Sequence, residues 1–188
     1  MKDLSDLEII ESIRNGNHSD YSLLIDKYKN RAFSMLVRML KNEMDAEEVL
    51  QDSFLKAFNG LRTFKNDAKF STWFYRIVYN TALTRLSGKH RKIESVMFSI
   101  DDQLELQSNY DFEDSEKEDL NQFINKMIEQ LPPKYSTVIN LFYIDGMSCE
   151  EISEVMNNTV SNVKVILHRS RNALKDLLIS KDYIKEIL

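Results

Sequence analysis

A single cysteine, Cys149, stands in the whole chain, which excludes an internal disulfide and a cysteine-built zinc site and suits a reducing compartment. Two prolines and four glycines are spread over 188 residues, too few for a collagen-like or low-complexity chain and few enough to favour long helices. No run of about 18 apolar residues occurs, so no segment is expected to insert into a membrane. The start, Met1-Lys-Asp-Leu-Ser-Asp6, lacks a basic segment followed by an apolar run, so no secretory signal is expected and a cytoplasmic location is. His18, His90 and His168 are too scattered to suggest a metal site or a catalytic triad. No alternating pattern argues for a strand, and no internal repeat is visible.

What is present is charge, sorted by region. The chain carries a net charge of -5, which on its face argues against nucleic acid. Yet residues 62–92 hold eight bases against one acid, residues 93–120 one base against ten acids, and residues 158–181 five bases against one acid. Two basic surfaces are therefore separated by an acidic strip, and the average conceals them.

Apolar spacing of three and four predicts helices over 5–15 and 19–42, the second through Tyr21, Leu24, Ile25, Tyr28, Ala32, Met35, Leu36 and Met39. A third is expected from Asp45, as its cap, to about Leu61, with Glu48 completing a capping box. After a loop over 62–69, a fourth runs from Ser71 or Thr72 to about Ser87. Residues 93–118 are polar, acidic and weakly periodic, which suits a tether. Beyond it, helices are expected over 119–130, 133–144, 148–156 and 160–179; Pro133 suits a first helical turn, and Ser148 with Glu151 forms a capping box. The fold class is all-α: two small helical domains joined by a flexible acidic linker.

Residues 64–85 hold six aromatics (Phe64, Phe70, Trp73, Phe74, Tyr75, Tyr79) among Lys65, Lys69, Arg76 and Arg85. Aromatic faces stack on unpaired bases and interleaved cations hold phosphates, so the stretch suits single-stranded nucleic acid. Trp73, Phe74 and Ile77 at helical spacing suit a core better, which leaves the polar partners to carry the functional inference. Residues 148–178 have the form of a helix-turn-helix. On its second helix Val160, Val163, Leu167, Leu174 and Leu178 share one face, while Ser161, Asn162, Val165, His168, Arg169 and Asn172 share the other. The second set suits base edges in a major groove, with Lys164, Arg171 and Lys175 placed for phosphates. An ordinary helical hairpin with a solvated basic face is the plain alternative. On the third helix Glu48, Gln51, Asp52 and Leu55 face away from the apolar stripe; taken alone this fits an ordinary scattered surface leucine, and functionally a leucine anchor in an acidic rim, which would repel DNA and suit a protein. Cys149, just inside a helix start, is placed for a lowered thiol pKa, although a lone cysteine more often fills space.

Four ordered stretches resemble the extracytoplasmic-function branch of bacterial RNA polymerase sigma factors: Asp45-Ala-Glu-Glu-Val-Leu-Gln-Asp-Ser-Phe-Leu-Lys-Ala-Phe58, Phe70-Ser-Thr-Trp-Phe-Tyr-Arg-Ile77, Leu131-Pro-Pro133 followed by Asp145-Gly-Met-Ser-Cys-Glu-Glu-Ile152, and Val163-Lys164 with His168-Arg-Ser-Arg171. The resemblance implies a first domain over 1–92, an acidic linker over 93–118, and a helix-turn-helix domain over 119–188. It implies that Asp45, Glu48, Gln51, Asp52 and Leu55 dock on a coiled coil of the polymerase's largest subunit. Phe64, Lys65, Asn66, Lys69, Asn80 and Thr84 would then capture the melted minus-ten element of promoter DNA, and Arg76 and Arg85 join them by their charge. Ser161, Asn162, Lys164, Val165, His168, Arg169 and Arg171 would read the minus-thirty-five element, with the second domain on the flap of the second-largest subunit. An anti-sigma factor held between the domains is a further implied partner, and no cofactor, metal or catalysis is implied.

Two residues depart from the family pattern. Ile166 stands where an arginine is usual in the recognition helix, putting the usual minus-thirty-five contacts in question, and Asn158 stands where a small apolar residue is usual in the turn, which is expected to loosen the packing of the two helices. The competing reading is a two-domain helix-turn-helix regulator of duplex DNA. The aromatic, cationic stretch counts against it, because a duplex reader needs no stacking platform. A nuclease is less well supported, since no acidic cluster with metal-site spacing falls in either basic region.

Overall fold

The computed structural model describes residues 4–94 and 118–180. Most of the acidic stretch therefore lies outside the described residues. Eight α-helices, without a strand among the described residues, form two helical units. The first holds α1 (Asp6–Arg14), α2 (Tyr21–Leu40), α3 (Glu43–Gly60) and α4 (Phe70–Glu94). The second holds α5 (Glu118–Gln130), α6 (Pro133–Ile139) continued by a π-helical turn (Asn140–Ile144), α7 (Cys149–Val155) and α8 (Val160–Ser180). No described helix is long and apolar enough to cross a membrane.

Local chemistry sets the boundaries. Ser5 and Glu8 close a capping box on α1, the Ser5 amide donating to Glu8 Oε2 at 2.8 Å. These bonds hold the Glu8 carboxyl below its usual range. The third helix starts earlier than its acid pattern suggests: Asn42, not Asp45, is the cap, its Oδ1 accepting the Asp45 amide at 2.9 Å, and Asp45 lies in the first turn. Lys41, in a left-handed conformation (φ 53°), turns the chain from α2 into that cap. α4 does not stop at Ser87 but continues through Gly88 to Glu94. The expected helix over 133–144 is two segments, with the Asp145 amide reaching back to the Asn140 carbonyl. Such a one-turn π insertion re-aims the residues after it.

The first unit is built around aromatic rings. Phe74, fully buried, stacks on Phe54 at 4.7 Å between centroids and on Phe70 at 5.9 Å, with Tyr28 at 5.7 Å and Tyr75 at 6.0 Å. The Tyr21 hydroxyl donates to the Phe54 carbonyl at 2.6 Å. Arg14 ties the loop after α3, its guanidinium donating to the Leu61 carbonyl at 3.1 and 2.8 Å and to the Phe64 carbonyl.

The two units share one continuous core, in which Val138, Leu141, Ile152 and Val155 join the aromatics of the first. α2 packs on α6 and α4 on α7. Polar groups stitch this seam. Buried Arg38 donates to Asn140 Oδ1 and, at 2.9 Å, to Asn125 Oδ1. The Tyr75 hydroxyl donates to Asp145 Oδ1 at 2.5 Å, and Asn140 Nδ2 donates to Asp145 Oδ2 at 2.8 Å. Burial lifts the Asp145 carboxyl above its usual range against the bonds that Tyr75 and Asn140 donate.

Candidate docking and nucleic-acid surfaces

Three faces remain exposed around this frame. α3 turns Ala46, Val49, Phe54 and Ala57 inward and leaves Glu48, Gln51, Asp52 and Leu55 on the outside, with Leu55 62% exposed. Met44 lies on the same stripe, since eleven residues make just over three turns, and is 81% exposed. Sequence reasoning passed over it; an apolar residue two places past a helix cap and eleven before another outward leucine was the available signal. Asp45 and Glu48 also hold Arg85 of α4, which reaches Glu48 at 2.5 Å and Asp45 at 3.7 Å. The bond to Glu48 raises the Arg85 pKa further. Arg85, expected at the DNA, is thus tied across to the docking acids: its position at the end of the basic stretch hid partners some forty residues upstream.

The loop before α4 divides. Phe64 is 7% exposed, its ring 5.0 Å from Trp73 and 6.0 Å from Phe70, so in this arrangement it belongs to the core and offers no face to a base. Phe70 and Tyr75 are buried as well, and Trp73 and Tyr79 half-buried. The aromatics of 64–79 hold the fold rather than forming a platform. Gly60 makes that packing possible: a Cβ there would stand 2.9 Å from Trp73 Cζ2. Lys65 and Asn66 are exposed, Asn66 in a left-handed turn (φ 59°). Lys69 is exposed and paired with Glu151 of α7 at 2.9 Å.

On α4 itself Arg76, Asn80 and Thr84, four residues apart, share one exposed face. The Thr84 hydroxyl donates to the Asn80 carbonyl at 2.9 Å. A shallow cavity of about 400 Å³ opens beside them, lined by Asn80, Leu83, Thr84, Ser87 and Gly88. The structure thus brings Arg76, Asn80 and Thr84 together and sets Phe64 and Arg85 apart from them.

The third face is on α8. Ser148 and Glu151 form the expected capping box of α7, and Asn157 (φ 48°) makes the turn. Val163, Leu167 and Ser170 are buried inward, while Ser161, Asn162, Lys164, Val165, His168 and Arg169 face outward. Ile166 is 4% exposed and belongs to the inner face, so it takes nothing from the outer one. Asn158 does not leave a loose turn: its Oδ1 accepts the Thr159 amide and Asn162 Nδ2, both at 2.9 Å. Arg171 is exposed but folded back, its Nε donating to the Tyr143 hydroxyl at 2.7 Å and its guanidinium lying 5.5 Å from the Phe142 and Tyr143 rings. No cluster of metal-ligating side chains occurs among the described residues.

Residues 24–92 match the family model for sigma-70 region 2, and residues 124–174 that for sigma-70 region 4. The chain is 33% identical over 177 residues to the ECF RNA polymerase sigma factor SigW of Bacillus subtilis, covering 90% of this chain and 94% of that one. To the ECF RNA polymerase sigma-E factor of Escherichia coli it is 31% identical over 179 residues, covering 91% and 93%. Its fold is similar to that of the sigma factor RpoE solved with the anti-sigma factor NepR from Bartonella quintana (TM-score 0.65, 17% identity, 85% of this chain and 96% of that one). It is also similar to that of CnrH solved with the cytosolic domain of CnrY (TM-score 0.61, 22% identity, 92% and 96%).

Proposed function

The chain belongs to the extracytoplasmic-function branch of RNA polymerase sigma factors, and from that premise we propose that it binds core RNA polymerase, directs it to specific promoters and helps to melt the minus-ten element. The supporting observation is the order of three exposed faces on one chain: an acidic face with apolar anchors on α3, a polar and cationic face on α4, and a basic recognition face on α8. The first repels DNA and fits protein, the second fits an opened strand, and the third fits a duplex groove. Residues 1–92 then dock and melt, residues 93–118 connect, and residues 119–188 read the minus-thirty-five element. The polymerase supplies the chemistry; the chain makes and breaks no bond.

The test is reconstitution. Added to core RNA polymerase, the chain is expected to give run-off transcripts from selected promoters that core alone does not give. Tight duplex binding without transcripts would instead establish the helix-turn-helix regulator.

Within this reading Asn80 is the residue best placed to meet a melted base, exposed and among the residues that line the α4 cavity. Asn80→Ala is expected to slow open-complex formation about tenfold, the scale of one lost base contact, while duplex binding stays within about twofold. Permanganate footprinting read beside mobility shifts separates the two, and equal losses in both would remove the single-strand role.

A negative regulator of the anti-sigma kind is a further expected partner, and the cytoplasm the expected location. Between the units α2, α5 and α8 line a groove of about 760 Å³ in which the apolar side chains Ile124, Ile128 and Leu174 stand beside the cations Arg31, Arg38, Arg171 and Lys175. Its chemistry suits an acidic amphipathic segment of such a regulator.

A further inference from the structure

We propose that Asn158 is a specificity-determining residue: it locks the side-chain amide of Asn162 in one orientation, so that the recognition helix reads an adenine and rejects thymine and guanine at one position of its site. The inference rests on the reading of α8 as the duplex-reading helix.

An asparagine amide is ambidextrous. Rotated by half a turn it exchanges an acceptor for a donor and so accepts different bases. Three linked bonds remove that freedom here. The Thr159 backbone amide donates at 2.9 Å to the side chain of Asn158. Only an oxygen can receive that proton, so Asn158 Oδ1 is fixed in place by the backbone. The same oxygen stands 2.9 Å from the side chain of Asn162, and two oxygens would repel, so the Asn162 nitrogen must be the atom facing it. The Asn162 backbone amide is in turn held by Thr159 Oγ1 at 3.2 Å, which fixes the start of the helix beneath it.

The outward edge of Asn162 therefore presents Oδ1 and the second N–H of its nitrogen. Asn162 is exposed and sits in the first turn of α8, the part of a recognition helix that enters the major groove. An acceptor beside a donor matches N6 and N7 of adenine as a bidentate pair. Cytosine offers only its amino group, a poorer second. In the register that sets Oδ1 against adenine N6, guanine brings O6 to Oδ1 and thymine O4 can meet only the N–H, so each makes one bond at most and is disfavoured. Without Asn158 the Asn162 amide turns over at no loss and offers its NH₂ to those oxygens instead.

The partner in this lock is one of the two residues that depart from the family pattern. Replacing it by alanine restores the kind of small apolar side chain usual there, so Asn158→Ala is expected to fold; circular dichroism and heat melting check this. The experiment uses holoenzyme reconstituted from the full chain and core polymerase, with a duplex pool randomised across the upstream element. The wild type is expected to select adenine at one position, about tenfold over thymine. Asn158→Ala is expected to bring that ratio below about twofold, with affinity for its best site within about threefold of the wild type. Asn158→Asp keeps acceptors for both donors but adds a negative charge near phosphates. It should retain the adenine preference while weakening binding to every sequence and more steeply at high salt. An Asn158→Ala protein with an undiminished preference overturns the proposal, as does an Asn158→Asp protein that loses it. Asn162→Ala separates the two levels: if it changes selection at no position, α8 does not read bases through Asn162 and the underlying assignment fails with it.

Discussion

Replacing Leu55 by arginine is expected to lower association with core RNA polymerase by at least about 100-fold while leaving the helical fold intact. Leu55 is 62% exposed on α3, a turn from Asp52 and Gln51, and lies outside the buried core. An apolar anchor buried on docking is commonly worth about 2–4 kcal/mol, and an arginine there adds an unpaired charge to be desolvated. Asp52, three residues before it, offers the new guanidinium a partner on the free helix, so the melting temperature should hold to within the change given by a surface substitution, about 0.5 kcal/mol. Met44→Ala, which trims the second anchor three turns away, should weaken association by about tenfold. Titration of labelled core polymerase measures both. Association of the Leu55→Arg protein within tenfold of the wild type would place the docking face elsewhere.

Phe74→Ala carries the largest expected loss of stability, about 3–5 kcal/mol, a substantial part of what a domain of this kind has. The side chain is fully buried and contacts Phe54, Phe70, Tyr28 and Tyr75, which come from α2, α3 and α4. Removing it leaves a cavity between three helices that cannot all close on it together. Two residues on, Arg76→Ala should change stability by no more than about 0.5 kcal/mol, because Arg76 is exposed. Urea unfolding of both variants makes the comparison, and a Phe74→Ala loss below about 1 kcal/mol would show that the ring cluster does not anchor α4.

That contrast marks how far the sequence could be read. The inward faces of α2 and α3, the capping box at Ser148 and the outward set on α8 follow from spacing of three and four, which is local information. The aromatic stretch was harder, because a ring that packs and a ring that stacks on a base have the same composition. Phe64 is buried by Trp73 and Phe70, and that fate depends on Gly60 making room a turn upstream. Arg85 was assigned by charge alone, but its acids lie on another helix. Asn158 looked like a packing defect because its hydrogen bonds, to Thr159 and Asn162, depend on a turn geometry that composition does not reveal. The bonds of Arg38 with Asn125 and Asn140 span 87 and 102 residues, beyond the reach of any periodicity.

Those cross-unit bonds bear on length. Elements ten and thirty-five positions upstream lie about 25 base pairs apart, roughly 85 Å along a duplex at about 3.4 Å per pair. A compact body of about 150 residues, the size of the described part, has a radius of gyration of roughly 15 Å and so a breadth of roughly 40 Å. With α2 against α6 and α4 against α7, the faces proposed to meet the two elements, on α4 and α8, cannot reach both at once. On the proposed reading the seam must part, and two of its groups make that less costly. Its buried Arg38 leaves Nε without a hydrogen-bond partner among the described residues, and Lys69 and Glu151 meet at its edge, where water can replace each for the other. On the proposed reading the chain is a folded ruler, and the polymerase that opens it sets the distance at which it measures.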